Sequence, residues 1–341
     1  VILPCLVAKI KNLRKTPPAM TVPSVEANVA VKLEAGLGEG SIWDSRCKKL
    51  LWLDILGAKL FRFDPSTGQN EDYDLSSYSK SVSSVVPIAE DLTGDTVALT
   101  TREGFAIYNF RTKSLDKLGN DPPIKEGERF NDGKVDPMGR YWAGTLARDV
   151  ASNEIVAKAA SLYLRDVDGT VKMVLKELSI SNGLVWSKDA RTMYYIDTPT
   201  AQIDALDFDP GSGDVSQRRA VVKGFDFETT GFPDGCAIDL EDRLWVARFN
   251  GGAVGCYDPK SGQLVAEVRV PKEAGRQVTS AAFGGETLQD LYLTTAREDF
   301  DEAKSKEFPL AGSLFVVPAA MLQELCPGVQ GQPPNHLKLQ R

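Results

Sequence analysis

A turn that recurs three times, six short aromatic-rich strands spaced near fifty residues apart, and a scarcity of helical periodicity predict an all-β chain. The architecture that fits is a six-bladed β-propeller with four antiparallel strands per blade. The turn reads FDPSTG (63–68), FDPGSG (208–213) and YDPKSG (257–262). In each copy Pro presets φ, Asp caps the turn and Gly takes the position that needs φ > 0. Each turn follows one type of strand: LLWLD (50–54), MYYID (193–197) and RLWVA (243–247). Three more strands of that type, TVALTT (96–101), RYWAGT (140–145) and DLYLTT (290–295), fill the gaps. With Trp52, Ala98, Trp142, Tyr195, Trp245 and Tyr292 as anchors, the separations are 46, 44, 53, 50 and 47 residues. Unrelated sandwiches or barrels would not share both turn and anchor at one period. Only PAAMLQELC (318–326) reads as a short helix. EANVAVKL (26–33) has strand character and is expected to supply the outer strand of the last blade, closing the ring and removing exposed sheet edges.

The bulk numbers narrow the function. The chain has 341 residues, 42% hydrophobic and 26% charged, the composition of a globular protein with a substantial core. A net charge of −7 argues against nucleic acid as a partner, since phosphate binding needs a basic surface. No apolar run approaches the roughly 20 residues of a membrane span, so no membrane role is expected. Residues 1–19, ahead of Met20, are expected to be an added or upstream extension outside the fold, with 20–341 a single propeller domain and a short C-terminal tail. A mitochondrial-type presequence carrying Lys9, Lys11, Arg14 and Lys15 is the lesser reading. Cys5, Cys47, Cys236, Cys256 and Cys326 form no CxxC pair, which suits reduced, mostly buried thiols in a cytoplasmic protein and disfavours a zinc–thiolate site. A monomer or weak homo-oligomer is expected.

The stretch RFNDGKVDPMGRYWAGT (129–145) leads a strand with an arginine, an amide and a carboxylate. The repeat gives a reason. The first strand of each propeller blade lines the axis, so residues just before it sit at one mouth of the channel. Asn131 lies 11 residues before its anchor Trp142; the corresponding residues are Glu39 (13 before Trp52), Asn182 (13 before Tyr195) and Asp234 (11 before Trp245). Glu39, Asn182 and Asp234 each precede a glycine. Singly, Asn-Gly and Asp-Gly are ordinary turn pairs, whereas Glu-Gly is not. Together, carboxylates crowded at a channel mouth repel one another without a cation. An all-oxygen set suits one divalent ion, Ca²⁺, Mg²⁺ or Mn²⁺, with Zn²⁺ fitting an open site that keeps water.

LGEGSIWD (37–44), NDGKVDPMGRYWAGT (131–145), SNGLVWSKDARTMYYIDT (181–198) and PDGCAIDLEDRLWVA (233–247) make the chain similar to the senescence marker protein (regucalcin), gluconolactonase and luciferin-regenerating enzyme family, from about residue 34 to residue 315. The resemblance implies a six-bladed propeller with one catalytic divalent metal that hydrolyses a sugar lactone. It implies Glu39, Asn182 and Asp234 as metal ligands, and Arg129 and Asn131 as substrate contacts. It places Asp149, in the poorly matching LARDVASNE, where some relatives carry a substrate-facing acid. Asp234 is the candidate general base, accepting a proton from water beside the ion, and Arg129 is expected to hold substrate hydroxyls or a carboxylate.

The rivals are a hydrolase of another cyclic ester or an organophosphate, and a non-enzymatic calcium-binding regulatory protein. A nucleophilic triad is disfavoured because the one histidine, His336, lies in GQPPNHLKLQR, expected to be a structureless surface tail. Selectivity among sugar lactones is expected to depend on lid loops, read here as REGFAIYNF (102–110), ARDVASNEIVAKAAS (147–161) and AREDFDEAKSKEFPLAG (296–312), which carry no readable specificity.

Overall fold

Hairpin follows hairpin along the chain until six sheets stand around one axis. The structure, a computed structural model, describes residues 22–340; the expected extension at 1–19 lies outside them. Blade one is Gly38–Asp44, Lys49–Asp54, Lys59–Asp64 and Gln69–Asp74. Blades two to five open with innermost strands Val82–Pro87, Glu128–Val135, Ser181–Trp186 and Phe232–Ile238, each followed outward by three antiparallel neighbours. Blade six has Val278–Gly284, Asp290–Thr295 and Leu314–Val317 from the end of the chain, and its outer strand, Asn28–Val31, comes from the beginning. This is a six-bladed β-propeller closed as EANVAVKL led one to expect. One addition was not foreseen: Ser24–Glu26 pairs in parallel with Gln263–Arg269 as a fifth strand on blade five.

The local chemistry behaves as read. In the repeated turns Gly68, Gly213 and Gly262 have φ of 72°, 71° and 71°, and each donates its N–H at 2.8 Å to the carbonyl of Asp64, Asp209 or Asp258. All six anchors are on second strands and none is more than 2% exposed. Their period reflects blade-to-blade packing. Trp142 meets Trp186 on the first strand of blade four, with ring centroids 5.8 Å apart. Trp245 meets Phe283 of blade six at 5.6 Å, and Tyr292 meets Trp43 of blade one at 6.2 Å. In these three blades the aromatic anchor covers the neighbouring blade, whereas Trp52 stacks on Phe61 of its own blade, with centroids 4.3 Å apart. Helix Ala319–Leu325 falls within PAAMLQELC, and Glu302–Glu307 is a second, unexpected helical turn and a half. REGFAIYNF is corrected: it contains the third strand of blade two, Gly104–Asn109, and no lid. Among the described residues no helix is long and apolar enough to cross a membrane. Cys47, Cys236, Cys256 and Cys326 are free thiols, three of them buried.

A buried charge device recurs beneath two of the tryptophans. Asp136 Oδ2 accepts from Arg140 Nε at 2.6 Å and from Trp142 Nε1 at 2.9 Å. Asp239 Oδ2 does the same for Arg243 Nε at 2.7 Å and Trp245 Nε1 at 3.0 Å. Read in sequence as turn chemistry alone, the Asp of DPMG is therefore also the anchor's hydrogen-bond acceptor.

The tail is the main departure from expectation. Residues 327–340 form a strap across the end of the ring where the innermost strands finish. Gln332 N donates to Ile238 O at 3.0 Å and Asn335 Nδ2 to Val135 O at 3.1 Å. Further on, Leu337 N donates to Pro87 O at 2.8 Å and Lys338 N to Gly139 O at 2.9 Å. Blades five, three and two are tied together by main-chain bonds that no sequence periodicity announces. His336 is half-buried in this strap, and burial lowers its pKa. It stands at the opposite end of the channel from the candidate residues, so His336→Ala should leave catalytic turnover unchanged. A loss beyond about tenfold in kcat would bring the histidine back into the chemistry.

Candidate active site

The candidate residues lie within the innermost strands and not ahead of them, which corrects the placement expected from spacing. In blades one, three, four and five the pairing of first and second strand slips at one level, between Glu39 and Ile42, Phe130 and Gly133, Ser181 and Leu184, and Pro233 and Cys236. Such bulges break the alternation of faces and re-aim one side chain. Here they direct Glu39, Asn131, Asn182 and Asp234 to the head of the channel, where all four line one pocket. Of the glycines that follow, Gly40 is called for by its φ of 61°, and Gly183 and Gly235 by the narrow bore. A Cβ on Gly183 would stand 2.6 Å from Asp234 O, and one on Gly235 2.8 Å from Thr279 O. Blade three has Asp132 in that place, and its carboxylate enters the channel beneath the pocket, in a small cavity shared with Lys134 and Cys236. Sequence reading assigned Asp132 no role, although it stands where blades one, four and five carry glycine.

A directional hydrogen-bond chain fixes the amides. Arg129 Nη1 donates to Asn131 Oδ1 at 2.8 Å, and Asn131 Nδ2 to Asn182 Oδ1 at 3.0 Å. Asn182 Nδ2 donates to Thr198 Oγ1 at 2.9 Å, and Thr198 Oγ1 to Pro233 O at 2.8 Å. Asn182 thereby presents its oxygen to Asn131 of blade three and its nitrogen to Thr198 of its own blade. Arg129 is drawn down by burial to about 10, with Glu298 opposing the shift, so it remains a cation at neutral pH.

Glu39 and Asp234 are 6% exposed each. Neither belongs to any ion pair among the described residues. Burial, then the charge of Asp132, pushes Glu39 up to about 8. Burial, then Glu39, raises Asp234 well above the carboxylate range. Among the described residues no three His, Cys, Asp or Glu side chains cluster to hold an ion alone. The fit to a metal therefore rests on two desolvated carboxylates supplemented by amide oxygens, a hard-oxygen set with vacant lone pairs and room for water. Two buried, unpaired carboxylates side by side need a cation or protons.

That need has a measurable sign. In metal-free protein a carboxyl whose pKa rises from 4.5 to about 8 on folding holds its proton in the native state across that interval. Stability should therefore fall as pH rises from about 4.5 to 8, by up to about 1.4 kcal/mol per pH unit. His336, lowered from 6.5, contributes with the opposite sign near that pH. The slope is best read as chelator-treated protein minus its Glu39→Gln variant in melting experiments from pH 5 to 8. A flat or rising difference would contradict the assignment, and added divalent ion should remove the slope.

The pocket has a cavity volume of about 110 Å³ and is open at its mouth. A cavity of similar size lies at the strap end of the channel, between Trp43, Trp186, Phe283 and the strap prolines, but no carboxylate lines it. Asp149 is outside the pocket. It is exposed, and its Oδ1 accepts from Ala151 N at 3.0 Å and Ser152 N at 2.8 Å, closing its own turn. Its neighbour Arg148 takes the inward place, held by a bridge to Ile155, and pairs with Glu298 at 2.9 Å across the mouth. Both come from segments read as lids, without an individual signal.

A pocket with two carboxylates and two amides at the head of the channel of a six-bladed ring defines a propeller with its candidate site at one mouth. The chain belongs to the SMP-30/Gluconolactonase/LRE-like family, whose model matches residues 37–297. It is 40% identical over 291 residues to a sugar lactone lactonase by name, YvrE of Bacillus subtilis (strain 168), covering 85% of this chain and 94% of that one. It is 36% identical over 298 residues to regucalcin of Gallus gallus, covering 87% and 93%. A solved luciferin-regenerating enzyme superposes with a TM-score of 0.76 at 29% identity, covering 90% and 96%. Family and relatives together indicate hydrolysis of the lactonase type.

Proposed function

We propose that this chain is a divalent-metal-dependent lactonase that opens a sugar lactone to its aldonic acid. The observation that carries the proposal is the pair Glu39 and Asp234, buried together at the channel head without a partner cation, with Asn182 lining the same pocket. These three would hold the ion and Asn131 would stand beside it; Arg129 and Asn131 would contact the substrate. When bound, the ion supplies a Lewis acid for the lactone carbonyl and lowers the pKa of water. Asp234 takes a proton as water adds to the acyl carbon. The ring C–O bond then breaks and its oxygen takes up that proton, leaving a hydroxy acid that ionises at neutral pH. Arg129, a fixed cation on a hydrogen-bonded frame, orients the ring by donating to its oxygens.

The test is a pH-stat assay of chelator-treated protein on aldono-1,4- and 1,5-lactones, with Ca²⁺, Mg²⁺, Mn²⁺ and Zn²⁺ restored singly. Ion-dependent proton release on one ring is the expected result. Silence with every ion on every ring would overturn the proposal.

A further inference from the structure

The walls above the carboxylates are apolar on several sides. Leu37, Leu146, Ile155, Ile180 and Phe249 line the pocket around its mouth. Their backbones are engaged in a ring of isolated bridges, Leu37 with Ala296, Leu146 with Ile180, Arg148 with Ile155 and Phe249 with Gln277. Further main-chain bonds, Ile55 N to Leu37 O at 3.0 Å and Thr198 N to Ile180 O at 3.1 Å, occupy carbonyls of the same collar. The Thr198 hydroxyl is used in both directions, accepting from Asn182 and donating to Pro233. Apart from the proposed ion-binding set, the polar side chains facing a ligand are Arg129, Asn131, which is already bonded to Arg129, Asn182 and the Ser181 carbonyl, and the Arg148–Glu298 pair, whose members already hold each other.

A sugar lactone hydroxylated at every carbon would bring more donors and acceptors than this collar can satisfy. An unmatched hydroxyl against apolar walls loses its water without replacement. We infer that the site selects lactones whose terminal exocyclic carbon is deoxygenated, the collar taking that carbon while Arg129 takes the ring oxygens. This inference rests on the lactonase reading and specifies its substrate class.

A matched pair tests it: L-rhamnono-1,4-lactone and L-mannono-1,4-lactone, which differ only in the hydroxyl on the terminal carbon. The expected result is a kcat/KM about 10- to 100-fold higher for the deoxy ring, the range one apolar pocket can discriminate. Ile155→Ser and Phe249→Ser, checked for unchanged melting, should narrow the ratio toward one. Equal rates on the two rings, or preference for the hydroxylated one, would overturn the inference and leave the lactonase standing. Hydrolysis of neither ring, nor of any lactone in the panel with any of the four ions, would remove the lactonase reading and this inference with it.

Discussion

Asp234→Ala is expected to lower lactone hydrolysis by at least about 10³-fold, on the scale of removing a catalytic electrostatic group. It should abolish ion binding in the same protein. Both losses follow from one position: the carboxylate is buried at the channel head beside Glu39, so removing it takes away a proposed ligand and the proposed base together. Ion binding can be read without turnover, as the rise in melting temperature on adding Ca²⁺ or Mn²⁺, because a ligand that binds only the folded state stabilises it. Asp234→Asn separates the roles, since an amide oxygen can still face the ion but cannot take the proton from water. Asn should therefore retain part of the thermal shift while hydrolysing as poorly as Ala. Activity of Asp234→Ala within tenfold of wild type would refute the assignment.

Asp136→Ala should unfold the protein more readily than any substitution at the pocket. Asp136 is fully buried, and its partner Arg140 is 3% exposed on its side chain. Truncation leaves a desolvated guanidinium and the Trp142 indole N–H without their acceptor. Breaking a buried pair from one side costs about 3–5 kcal/mol, a large part of a domain's stability. Asp149→Ala, at an exposed turn, should stay within about 1 kcal/mol. Urea denaturation of the two variants makes the comparison, and an Asp136→Ala loss below about 1 kcal/mol would show that the pair is dispensable.

The ring was legible because its signals are local and repeated. FDPSTG and its two copies specify a turn through three residues, and the anchors report blade packing at a fixed period. Glu39, Asn182 and Asp234 could be singled out because a glycine follows each, required by the crowded bore in blades four and five. Asp132, noted with Arg129 and Asn131, received no role because it stands in the place of that glycine. Arg148 and Asp149 are adjacent, and which faces inward is decided by the bridge to Ile155, which no local chemistry encodes. Glu298 and Arg148 belong to different blades, so their pairing exists only after folding. The strap was misread because proline-rich sequence hides an ordering that comes from carbonyls on three distant blades.

The outer strand of blade six has a history during synthesis. Asn28–Val31 emerges early, but its partner Leu314–Val317 is made last of all the strands. At about 5–20 residues per second the early strand waits roughly 15 to 60 s without its neighbour. An unpaired edge held open that long is a template for other nascent chains. Its four residues are flanked by the exposed charges of Glu26 and Lys32, which make no ion pair among the described residues and stand as gatekeepers against such pairing.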